Sequence, residues 1–170
     1  MAHSLPAIIA SSQPLKEIAD RFQHAHLVPL PDDFAMIPVT KELLDELEIE
    51  FADEIDTSST APSSEEFSYL MNGLHALLCE ISRRTPVAYI ETDYFGGDGS
   101  QSGAAYVDGS QVAASSDRKT PSDRDDKSSW PINRALSYLG IRTTIFNDAF
   151  DKLDLRRFRM IDDALRAAEK

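Results

Sequence analysis

The chain has 170 residues, 42% of them apolar, with 29 acids against 17 bases and a formal net charge of −12. That is enough chain for one domain with its own core, and the single cysteine, Cys79, excludes an internal disulfide or a site built from several thiolates. The charge disfavours nucleic acid and anionic lipid, no run approaches the roughly 18 apolar residues of a bilayer crossing, and residues 1–15 lack the flanks of a secretory signal, so the expectation is a soluble cytoplasmic protein.

In chain order, Ala7–Ala10 reads as a strand, and apolar residues at 15, 18, 19 and 22 after a Ser/Pro start read as a helix. Residues 27–30 and 34–39 read as two extended pieces around a turn at Pro31-Asp32-Asp33, with prolines that belong at edges or ends. Thr40 offers an N-cap to a helix over 41–51, with Leu43, Leu44 and Leu47 on one face and acids on the rest. Ser63 and Glu66 have the spacing of a capping box, and the repeat of Phe67, Leu70, Met71, Leu74, Leu77, Leu78 and Ile81 predicts a helix over 64–84 that Pro86 stops. Val87–Phe95 is rich in β-branched and aromatic residues; a loop over 96–103, a strand from 104, the hairpin turn Asp108-Gly109 and a strand over 110–114 follow. Residues 115–129 have no strongly apolar side chain and predict a mobile loop. Helices over 131–139, 148–153 and 160–168 complete one α+β domain over 1–170, a mainly antiparallel sheet with helices, chiefly 64–84, packed on one side.

The charge is uneven. Residues 1–60 carry twelve acids and three bases, residues 61–113 seven and two, and residues 114–170 ten and twelve, so an electrostatic site belongs before residue 114. Glu42, Asp45, Glu46, Glu48, Glu50, Asp53, Glu54 and Asp56 crowd fifteen positions; they form either a solubilising face or a surface held for a basic partner.

The stretch from Glu91 to Gln101 looks most like a site. Strand alternation puts Glu91, Asp93 and Phe95 on one face and Tyr94 on the other. Glu91, Asp93 and Asp98 have the chemistry of a cation site or an acid/base pair, although their spacing is not that of a calcium loop, and an acid-decorated sheet edage explains them as well. Glycines 96, 97, 99 and 103 invite a phosphate cradle, yet no Lys or helix start follows them and local acids repel the anion. Gln101 occupies the central position where a nucleophile elbow needs serine. Asp98, Gln101, Tyr94 and Phe95 are better suited to gripping another protein. His24 and His26 have the spacing of a metal clamp but lack further ligands, and His75 and Cys79 read as core residues of their helix.

The acidic first two thirds, the segment Ala88–Gln101, the segment Ala105–Gly109 and Pro131–Leu136 together resemble small acidic bacterial immunity-type proteins, which block toxins. The resemblance implies a cytoplasmic inhibitor that docks the basic active-site region of a cognate toxin domain, with no cofactor, metal or catalytic residue, and no family residue maps onto a numbered position. Contact would come from Glu42, Asp45, Glu46, Glu50, Asp53, Glu54, Glu91, Asp93, Tyr94, Phe95, Asp98 and Gln101. Two other readings stand beside it: a divalent-cation-dependent hydrolase or transferase using Glu91, Asp93 and Asp98, and a nucleic-acid mimic. Oligomeric state is not readable from the sequence.

Overall fold

A computed structural model describes residues 3–53, 66–95, 98–117, 126–144 and 148–169. The strands are β1 (His3–Ser4), β2 (Ala7–Ser11), β3 (Val28–Pro29), β4 (Phe34–Pro38), β5 (Val87–Phe95), β6 (Asp98–Val107) and β7 (Ser110–Asp117). The helices are α1 (Ser12–Arg21), α2 (Lys41–Glu50), α3 (Asn72–Ser82), α4 (Pro131–Ser137), α5 (Ala149–Lys152) and α6 (Ile161–Ala168). The strands form one sheet in the order β3-β4-β2-β5-β6-β7, with β1 pairing the far end of β5. Every ladder between them is antiparallel.

The sheet separates two cores, because its central strands are apolar on both sides. Ile8, Ala10, Val87, Tyr89, Ala104 and Tyr106 face α1, α2 and α3, whereas Ala7, Ile9, Ala88, Ile90 and Ala105 face α4, α5 and α6. Helices therefore cover both faces, where the sequence reading put them on one; the α+β class and the antiparallel sheet stand. The runs Ala7–Ala10 and Val87–Ile90, apolar without alternation, are what burial on two faces requires.

Three local expectations differ in extent. The helix expected over 64–84 begins only at Asn72; Ser63 lies outside the described residues, and residues 66–71 cross the sheet as an irregular strap. The expected loop over 96–103 is mostly strand, since β6 starts at Asp98 and pairs residue by residue with β5. Gly103 matters inside that strand: a Cβ there would collide with the Pro131 carbonyl, so the glycine lets the start of α4 lie directly on the sheet. In the segment expected to be mobile, residues 115–117 belong to β7 and Lys127–Ser129 form a 3₁₀ turn, with residues 118–125 outside the described set.

Turns use acids as much as glycine. Asp32, Asp33, Asp108 and Asp154 all have positive φ, between 52° and 62°, a region aspartate tolerates better than most side chains. Gly109 completes the β6–β7 hairpin at φ +82°, and its N–H donates to Ser82 Oγ at 2.9 Å, tying the turn to the end of α3.

Candidate interaction surface

The acidic helix α2 engages most of its carboxylates in contacts within the chain, although Glu42, Asp45 and Glu50 stay exposed. Thr40 caps it by accepting from the Leu43 N–H at 3.1 Å, as expected. Glu46 accepts the Gln23 and His24 backbone N–H groups just past the end of α1, at 2.9 and 3.1 Å. Glu48 accepts the Gly73 N–H at 2.5 Å, which puts a negative charge on the first turn of α3 where the helix dipole favours it. Gly73 is also where α2 and α3 touch: a Cβ would sit 2.7 Å from the Leu47 carbonyl. Glu50 pairs with Arg21 at 2.8 Å, and the same guanidinium reaches Glu80 at 2.8 Å and lies over the Phe22 and Phe51 rings. Asp45 pairs with Lys41 at 2.7 Å. Glu42 sits in the first turn of the helix, held below the usual carboxylate range by hydrogen bonds to its own backbone N–H and to Thr40. Asp53 is exposed just past the helix, and Glu54 lies outside the described residues.

Glu91 has a structural post as well. It is 8% exposed, and its carboxylate accepts the Ser68 N–H and the Tyr69 N–H at 2.8 Å each and the Tyr89 hydroxyl at 2.9 Å. Ser102 Oγ, opposite Glu91 on β6, donates to the Glu66 carbonyl at 2.6 Å. These bonds explain the shortened helix: the amides of 68 and 69 meet a buried carboxylate on the sheet, a charge-assisted contact stronger than the helical bonds they would otherwise make. Phe67 and Leu70 stay in the core, so the periodic apolar residues that predict a helix are buried here by a non-helical route.

Beyond Glu91 the character of β5 changes. Asp93 is exposed, Phe95 is 79% exposed, and both share the Glu91 face by strand alternation. Tyr94 points to the other face and is half-buried. Burial first, then the charge of Asp117, pushes its phenol up to about 12, against a hydrogen bond from the Gln101 side chain. Gln101 itself is buried, and so supports Tyr94 from within. The backbone of Asp98 pairs with Phe95; its side chain is outside the described set. Tyr69 and Met71, each nearly half exposed, belong to the strap that crosses this same face at Glu91, about 13 Å along the strand from Phe95. The sequence reading did not single out Tyr69 and Met71, because as members of a helix they would have been core or flank. Among the described residues this surface is aromatic and apolar with Asp93 as its exposed carboxylate, and its Met71 end adjoins α2, whose Glu48 accepts the Gly73 N–H.

Among the described residues no group of three His, Cys, Asp or Glu side chains is arranged to hold a metal ion. His75 and Cys79 do meet, with Sγ 3.8 Å from Nε2 and the Tyr106 hydroxyl 2.9 Å from Nδ1. Burial pushes the thiol up and the imidazole down, the opposite of the thiolate–imidazolium pair that nucleophilic catalysis needs. No helix among the described residues is long and apolar enough to cross a membrane. No family model matches the chain, and no curated protein or solved structure is significantly similar to it.

Proposed function

We propose that this chain is an inhibitory binding protein of the immunity type, which docks a basic protein partner, a toxin domain, through the free end of the β5–β6 hairpin. The observation that carries the reading is Phe95: a large aromatic side chain, 79% exposed, beside the exposed carboxylate of Asp93. Exposed aromatics with a polar neighbour are the anchors from which protein interfaces draw most of their energy. The net charge of −12 then acts at a distance, raising the encounter rate with a cationic partner, while α2 contributes field more than contact because its acids are engaged within the fold.

The test uses tagged protein as bait in native lysate at low and high salt, with retained proteins identified by mass spectrometry. The expected result is a basic protein held at low salt, weakened at high salt, and lost with Phe95→Ala or Asp93→Lys while the fold is unchanged by circular dichroism. Equal capture by wild type and both variants would remove the hairpin end from the interface. The cation-dependent hydrolase has no comparable support: Glu91, one of its three carboxylates, already accepts three hydrogen bonds. Calorimetry with Mg²⁺, Mn²⁺ and Ca²⁺ tests it directly.

A further inference from the structure

We propose that the outer edge of β7 is a self-association surface, on which a second copy of this chain lays its own β7 antiparallel and joins the two sheets into one. The two edges of the sheet are built differently. At one, β3 is two residues long, Pro29 offers no N–H, and the Arg157 guanidinium donates to the Pro29 carbonyl at 3.1 Å, so that edge is short and already covered. At the other, β7 runs for eight residues with no proline and no lysine. Among the described residues, no backbone hydrogen bond reaches Ser110–Ser116 from any strand but β6. Val112 is the one extra residue in the β6–β7 ladder, between Gln111 and Ala113, so the bulge lies toward the turn and Ala113–Asp117 pair with β6 without interruption.

The chemistry of this edge fits a copy of itself. Ser110–Ser116 carries no charge in a chain of net −12, so a cationic partner would find nothing to pair with there, while a second β7 meets no repulsion along the ladder. A two-fold axis at Ser115 sets Ala114 opposite Ser116 and Ala113 opposite Asp117. Parallel pairing would instead stack Asp117 on Asp117, a destabilising like-charge contact. Ala113 and Ala114 are small and pack on opposite faces of their own sheet, so the joined ladder is not blocked by bulk.

Sedimentation velocity on the purified chain from about 5 to about 200 µM tests the proposal in the range where a short strand pair associates. The expected result is a rise from monomer to dimer mass, with slower amide exchange at Ala113–Ser116 in the dimer. Ser116 is exposed, so Ser116→Lys leaves the fold intact but sets two ammonium groups on one face of the joined ladder; it should weaken the dimer by about tenfold or more. Ser116→Thr should keep it. A monomer throughout the range, or a dimer equally stable in Ser116→Lys, would overturn the proposal. So would a dimer abolished by Phe95→Ala, which would move self-association to the hairpin end.

Discussion

Carboxylates on α2 and at the end of β5 have the same chemistry and opposite employment. Glu46 and Glu48 accept backbone amides of neighbouring segments, and Glu91 holds a whole strap against the sheet. Two residues beyond Glu91 on the same face, Asp93 is exposed. The difference teaches that a dense acidic run is a poor guide to a binding face: what decides is whether unpaired N–H groups lie within reach. At the start of α3 they do, since the first turn of a helix leaves amides without intrahelical partners, and past the end of α1 the Gln23 and His24 amides have already left the helical ladder. Asp93 stands on a strand that pairs with β1 on one side and β6 on the other, so the amides around it are engaged in the ladders.

The sharpest way to break this comparison is Glu91→Ala. It leaves the Ser68 and Tyr69 amides and the Tyr89 hydroxyl without their acceptor, and the expected loss is about 3 kcal/mol by urea denaturation, with Glu91→Gln losing less because it keeps one oxygen. A loss below about 0.5 kcal/mol would mean that Phe67, Leu70 and the Ser102–Glu66 hydrogen bond hold the strap without Glu91. Next comes Glu48→Ala, expected to cost about 1–2 kcal/mol by removing the acceptor at the start of α3.

A pH series probes the body of the molecule without mutation. Burial lowers both His3 and His75 from 6.5, and for His3 the nearby Arg156 and Arg159 add to the effect. The unfolded chain therefore binds more protons below 6.5, so this contribution to stability is complete above that pH and is lost as pH falls through the folded values. Urea midpoints should drop between pH 7.5 and 5.5, and His75→Gln should flatten part of the drop. The smallest effect belongs to the hairpin end: Phe95→Ala and Asp93→Asn should change stability by less than about 0.5 kcal/mol, and a larger change would show that the end supports the fold.

What was legible in the sequence was local. The Thr40 cap needs only Leu43, the Asp108-Gly109 turn needs two adjacent residues that accept positive φ, and both are where the sequence puts them. The strap over 66–71 was not legible because its amides answer to Glu91, more than twenty residues on, which overrides a good helical period. The start of β6 was hidden for a similar reason: Gly99 and Gly103 read as loop, yet Gly103 is there for Pro131. Helices on both faces did leave a trace, in the unalternating Ala7–Ala10 and Val87–Ile90. Of the proposed contact residues, Phe95 and Asp93 could be picked out by type, but only the fold separates them from Glu91 and Gln101, which are buried.

The aspartates at positive φ offer a way to take charge apart from shape. Asparagine accepts the same left-handed backbone, so replacing Asp32, Asp33 and Asp108, and sparing Asp154 because it pairs with Arg157, would bring the chain from −12 to −9 with its turns retained. Such a variant is a dial on long-range attraction alone. Its association rate with a cationic partner would fall and flatten against ionic strength, while the dissociation rate, governed by the contacts at the hairpin end, would hold.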